Sequence, residues 1–509
     1  MRDGEQDIER GGAAGLQGRP GVPYPPVKDS TSARERGTMQ FVVRNGTVVT
    51  EGGLVAADVV CADGRISALV EPGTSTSAED AFDASGCLVF PGFIDPHVHS
   101  RDPGLTHKET FAHSTLGALC GGLTSILEMP NAIPPVTDAA MLATRRAEHE
   151  AKAWVDFGLW GLALGPGHAD DIAGLFSAGA VGVKLFWGYA LHRETKALVY
   201  NFADEPPERL LLPPEAGEVR TLFREVANAG GLLAMHCEDR HVLAQAGEDL
   251  GHPIETYADL LAARPAVAEA VSIAIGAQLA AETGCRFHVV HMASARGAEV
   301  VRQARAAGAP VTAETCPQYL TLTDADAERL GPLLKVYPPV RTATDQEALW
   351  HAVADETISS IGSDHAPHTV EEKSTGFATA PAGGTGVETI VPLLVDAMVE
   401  GRISPARLAE IASTGTAALY GLWPRKGTVR PGADADLTIV DPAGEHVVSN
   451  EGLHALHPVT AWDGRKLSGR VTASVLRGEL AMRDGEPVGE RRGRFVAADH
   501  SVRRESLRS

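Results

Sequence analysis

Asp95, His97 and His99 occur as Asp-Pro-His-Val-His at the end of an apolar run, and single polar residues close four more such runs: Lys184, His236, His291 and Asp364. Side chains two apart in extended chain point to one side, so His97 and His99 can offer both imidazoles to one cation. A lone His-x-His pair is weak evidence, because hydrogen-bonded core histidines give the same pattern. His236 and His291 at two further strand ends turn it into a shared metal site. Imidazole and carboxylate donors without thiolates favour zinc, and manganese, iron, nickel or cobalt fit the same set. Lys184 sits in GAVGVKLFWGY, where apolar neighbours would hold its amine in a low-dielectric interior at a cost of several kcal/mol unless it is paired or neutralised. One reading is a snorkelling lysine; the sharper one is a carbamate whose two oxygens bridge two cations. Asp364, in IGSDHAPH, is either a helix N-cap or a carboxylate that binds a cation and accepts a proton from water.

These residues need a scaffold that gathers strand ends. Eight apolar runs alternate with Ala/Leu-rich helical segments: LVFPGFID, TSILEM, VDFGLWGLAL, AVGVKLF, GLLAMH, FHVVH, PVTAET and ISSIGSD. That pattern predicts an α/β fold, a (β/α)₈ TIM barrel over 88–423, with its site at the C-terminal ends of the strands. Short β-branched runs broken by Asn-Gly and Asp-Gly turns occupy 39–87 and return over 424–495, predicting one small β-sandwich domain built from both chain ends. Residues 1–38, rich in Gly, Pro, Arg and Glu, read as a disordered extension, with Met39 as a plausible start, and 496–509 as a flexible tail.

With 509 residues and a mean hydropathy of −0.06, the chain suits one large barrel and a smaller domain. The absence of a long apolar run or export signal points to a cytoplasmic protein without a membrane span. Six scattered cysteines with no CxxC pair read as buried apolar residues, neither disulfides nor thiolate ligands. A formal charge of −21 argues against nucleic acid and for a small-molecule partner.

Seven motifs in order, DPHVHSRDPG, EMPN, VGVKLF, MHCED, VVHMAS, ETCPQYL and GSDHAPH, make the chain resemble the cyclic amidohydrolases, the group of dihydroorotases, allantoinases and hydantoinases, over about 40–495. The resemblance implies hydrolysis of a cyclic amide C–N bond at two divalent metal ions. It implies His97, His99, Lys184 and Asp364 on one ion and Lys184, His236 and His291 on the other, with Lys184 N6-carboxylated and Asp364 moving the proton. It also implies a homodimer or homotetramer. A collapsin response mediator-like scaffold, which has lost metal ligands, is the non-enzyme alternative; a mononuclear deaminase lacks a role for Lys184.

The substrate signals divide. Arg101 and Asn131 resemble dihydroorotase contacts to a substrate carboxylate, and a guanidinium suits bidentate carboxylate binding. Tyr189 resembles the hydantoinase tyrosine that hydrogen-bonds the developing oxyanion, and Tyr337 stands where dihydroorotases usually have Asn. The expectation is a dihydroorotase-like enzyme, with hydantoinase, dihydropyrimidinase or allantoinase as the alternative. The insert at about 190–217 reads equally as a substrate-gating loop or a surface excursion.

Overall fold

The computed structural model describes residues 40–74, 80–165, 167–200 and 205–502, so the extension expected over 1–38 lies outside the described residues. The barrel strands are Phe93–Val98, Leu123–Glu128, Asp156–Leu159 with its continuation Gly161–Leu162, Val183–Trp187, Leu232–Cys237, Arg286–Val289, Val311–Thr315 and Ser360–Ile361. Almost all their side chains are buried, as expected for parallel strands covered on both faces. Pairing is parallel from the first strand to the third and from Gly161–Leu162 to the eighth. The third strand breaks at the fully buried Trp160, whose indole N–H donates to Pro96 O at 3.1 Å.

Closure joins the eighth strand to the first. Val98 and His365 form a parallel bridge, the His99 N–H donates to His365 O at 2.8 Å, and the Ser363 N–H donates to Asp95 Oδ1 at 3.0 Å. The seam that shuts the barrel therefore sets Asp364 beside the two first-strand histidines.

Helices form the outer ring, several started by side-chain caps: Thr110, Asp138, Ser294 and Thr342 each accept an N–H from the first turn. Ala266–Thr283 lies close against the sixth strand, because a Cβ on Gly276 would fall 2.6 Å from the Phe287 ring. The helical stretch Tyr257–Thr283 is long and apolar enough by composition to cross a membrane. Here it divides into Tyr257–Ala263 and Ala266–Thr283 at Arg264-Pro265, and it buries Leu260, Ala268, Ile273 and Ala280 within the fold.

Strands from both chain ends form one nine-stranded sheet in which Leu88–Pro91 joins Gln40–Thr50 to Leu437–Val447. Val43, Val48, Val59, Ile66, Val89, Leu437, Ile439 and Val475 pack there in a cluster of their own. Two expectations need correction. The run 88–95 is not one barrel strand: it divides at Gly92, whose N–H bonds Asp436 O at 2.8 Å and where a Cβ would lie 2.2 Å from Thr124 Oγ1. Its first half belongs to the sheet. Nor is the segment after 495 a flexible tail over its described part. Val496 is buried, and the N–H groups of Val496, Ala498 and Asp499 bond Phe157 O, Gly179 O and Gly421 O at 2.8–3.0 Å. These residues satisfy backbone groups of the barrel.

The insert after the fourth strand folds as a small sheet of Ala190–His192, Leu198–Val199 and Leu210–Leu211. Leu191, Leu198 and Leu211 pack with Phe186 and Tyr189, which fixes its base beside the barrel mouth.

Candidate active site

All six expected ligand positions lie at the C-terminal mouth or just inside it. His97 belongs to the first strand and His99 follows it; their rings lie 5.2 Å apart, and His97 lies 5.4 Å from His291. His97 Nε2 and His99 Nε2 each stand 3.4 Å from Asp364 Oδ1. The opposite nitrogen of each ring is tied down. His97 Nδ1 lies 2.7 Å from Glu314 Oε1, and His99 Nδ1 lies 2.7 Å from Asn131 Oδ1. Both partners are acceptors, so each Nδ1 carries the proton and each Nε2 presents a lone pair toward Asp364. Burial pushes His97 down to about 3 and His99 down to about 4, which keeps both rings neutral near pH 7. Two lone pairs and a carboxylate oxygen thus meet with no proton between them.

A second focus faces the first. His236 Nδ1 and His291 Nε2 are 3.1 Å apart, and His236 Nε2 lies 3.0 Å from Glu238 Oε2, which assigns the His236 proton to Nε2. Lys184, fully buried on the fourth strand, has no hydrogen-bond partner for Nζ among the described residues, and neither has His291 Nδ1. Burial pushes the Lys184 amine down to about 8. A buried amine without a hydrogen bond beside five other candidate ligands is costly unless another group completes the site.

These observations fit divalent cations. Nitrogen ligands at about 2.0–2.1 Å from one ion are separated by roughly 3.4 Å in a tetrahedron, close to the spacings at both foci. His97, His99 and Asp364 form a group whose ligand atoms lie within 4.8 Å of one another. The backbone also marks the site: Arg101, His291 and Asp364 have φ of 60°, 40° and 50°, a left-handed region unfavourable for residues with a Cβ.

Tyr189 is buried, its ring 4.7 Å from that of His236, and its hydroxyl accepts a hydrogen bond from Arg264 Nη2 at 2.7 Å. Arg101, Tyr337 and Tyr200 line a cavity of about 350 Å³ with Lys108, Lys335 and His368. The Arg101 guanidinium is already engaged there, with Nε donating to Pro367 O at 3.2 Å and Nη2 lying 3.4 Å from His368 Nε2. Asn131, expected to touch substrate, has its side-chain oxygen against His99 Nδ1.

Sequence reasoning missed Glu314, Glu238 and Arg264. Glu314 lies in an otherwise apolar strand, and Glu238 follows His236 by two residues, so strand position could have flagged both. Arg264, at the break between two helices, carries no such local signal.

The chain matches the model of the Amidohydrolase family over residues 88–481. It is 39% identical over 463 residues to an allantoinase of Rubrobacter xylanophilus, covering 90% of this chain and 97% of the relative. It is 32% identical over 465 residues to an L-hydantoinase of Paenarthrobacter aurescens, covering 89% and 97%. Among solved structures, the L-hydantoinase (dihydropyrimidinase) from Arthrobacter aurescens superposes with a TM-score of 0.83 at 32% identity, covering 90% of this chain and 99% of that one.

Proposed function

The chain belongs to the amidohydrolase family, and from that premise we propose that it opens the ring of a small, neutral cyclic amide, allantoin or a hydantoin, by hydrolysing a ring C–N bond. The observation that carries this reading is the convergence of the His97 and His99 lone pairs with Asp364 beside an unpartnered Lys184 amine. His97, His99 and Asp364 would hold one divalent cation, expected to be zinc, and His236 and His291 a second, with Lys184 as a carbamate between them. Bound there, such ions lower the pKa of water toward roughly 7 and polarise a carbonyl.

The chain's own residues supply the rest. Asp364 accepts a proton from the attacking water and delivers it to the departing ring nitrogen, so an O–C bond forms, the C–N bond breaks and an acid is left. Tyr189 donates its O–H to the carbonyl oxygen as charge develops there. That proton is available because Arg264, which only donates, meets the phenol oxygen. Glu314 and Asn131 hold the ring orientations of His97 and His99.

The neutral ring is preferred to the dihydroorotase-like substrate on two grounds. Relatives of high coverage are an allantoinase and a hydantoinase. In addition, the Arg101 guanidinium, an expected carboxylate contact, already has partners within the protein at Pro367 O and His368. The deciding experiment compares kcat/KM of zinc-reconstituted protein for allantoin, hydantoin, dihydrouracil and dihydroorotate, with Asp364→Asn as the inactive control. Preference for allantoin or hydantoin is expected; preference for dihydroorotate restores the carboxylate reading.

A further inference from the structure

One guanidinium, that of Arg264, stands between two parts of the site that are distant in sequence. Its Nε donates to Glu238 Oε1 at 3.2 Å, its Nη2 makes a short contact to Glu238 Oε2, and the same Nη2 donates to the Tyr189 hydroxyl at 2.7 Å. Its flat face lies 3.9 Å from the centre of the Tyr337 ring. Its own carbonyl accepts from Arg341 Nη2 at 2.9 Å, which fixes the backbone from which it projects. Glu238 in turn meets His236 Nε2 at 3.0 Å.

Two consequences follow from donor chemistry. Guanidinium has no acceptor, so Tyr189 can only accept from it, and the phenolic proton must point elsewhere. Both Glu238 oxygens accept from Arg264, which has no acceptor, so the carboxylate is turned with Oε2 toward His236 Nε2 and receives its N–H, leaving the Nδ1 lone pair facing His291 Nε2.

We propose that Arg264 is a positioning residue that sets the Tyr189 hydroxyl as a donor and, through Glu238, fixes the His236 tautomer that faces His291. It touches neither the ring nor a cation. The Tyr189 half rests on the proposed role of that hydroxyl; the His236 half needs only the metal-ligand reading. The Arg264–Tyr337 contact gives an aromatic residue at 337 a packing role beside the cavity that it lines.

The test uses full-length Arg264→Gln, Arg264→Lys and Arg264→Ala. In competition with a zinc chelator, Arg264→Gln is expected to hold zinc more weakly by up to about 10-fold, because the Glu238 that orients His236 loses its own anchor. This readout requires no substrate and stands even if the wild type opens none of the four rings, an outcome that would fail the proposed function alone. In turnover, kcat of Arg264→Gln should fall at saturating zinc with KM little changed, and the loss should be much smaller in a Tyr189→Phe background, because contacting residues are non-additive. Arg264→Lys should recover little, since one ammonium nitrogen does not reproduce the separate Nε and Nη2 donors that reach Glu238 and Tyr189, whereas added guanidinium should restore kcat of Arg264→Ala and potassium at equal ionic strength should not. Unchanged zinc affinity overturns the His236 half, and equal losses with and without the Tyr189 hydroxyl overturn the Tyr189 half. If Arg264→Gln fails to fold, the same two readouts on Arg264→Lys decide: wild-type zinc affinity and kcat there refute the proposal.

Discussion

His99 Nδ1 lies 2.7 Å from Asn131 Oδ1, which makes a residue of the loop after the second strand the orienting partner of a first-strand imidazole. The bond keeps the proton on Nδ1 and turns Nε2 toward Asp364. Asn131→Ala should therefore weaken zinc binding about 10–100-fold and leave KM for a neutral ring little changed. Chelator competition and steady-state kinetics separate these effects. A raised KM at wild-type zinc affinity would instead return Asn131 to the substrate contacts.

Tyr189→Phe removes a single O–H while keeping the ring that packs against His236 and the insert. If that hydroxyl stabilises the developing oxyanion, kcat should fall on the order of 10²-fold, with zinc content and KM little altered. A kcat equal to wild type would rule out an oxyanion role.

The contrast between these two residues shows what the sequence made legible. His97, His99, His236, His291, Lys184 and Asp364 could be found because each is a chemically costly residue closing an apolar run, and a barrel gathers strand ends by construction. Asn131, Glu314 and Arg264 act through hydrogen bonds across 26–217 residues of sequence. No local period encodes such pairings. Boundaries suffered in the same way: LVFPGFID reads as a single strand, and only the crowding of Gly92 against Thr124 shows where the sheet stops and the barrel starts.

Burial pushes the Glu109 carboxyl up to about 8, against an ordinary value near 4.5, although Thr110 and Leu456 N–H groups work in the opposite direction. Between those values the folded protein holds a proton that the unfolded chain has lost. Stability from this group is thus fully present below about 4.5 and declines as pH rises toward 8. Glu109→Gln should flatten that decline. Urea midpoints of wild type and variant at pH 5 and pH 8 check it, and identical pH slopes would show that Glu109 titrates normally.

Asp156, Asp434 and Asp436 form a second cluster of buried carboxylates, at the join between the third barrel strand and the sheet. This one already holds its cation: Lys426 Nζ lies 2.5 Å from Asp156, 3.0 Å from Asp434 and 2.5 Å from Asp436. Burial alone would depress the lysine, but the three carboxylates hold its pKa above the ordinary lysine value. Lys426→Met keeps the volume of the side chain and deletes its charge, leaving buried carboxylates uncompensated where barrel and sheet meet. Breaking a buried pair in this way costs about 3–5 kcal/mol, so the urea midpoint should drop with an unchanged denaturant slope. Arg477 also pairs with Asp156, and Arg425 pairs with Asp434 at 2.9 Å. A variant as stable as wild type would mean that those two arginines alone neutralise the join and that Lys426 adds little to it.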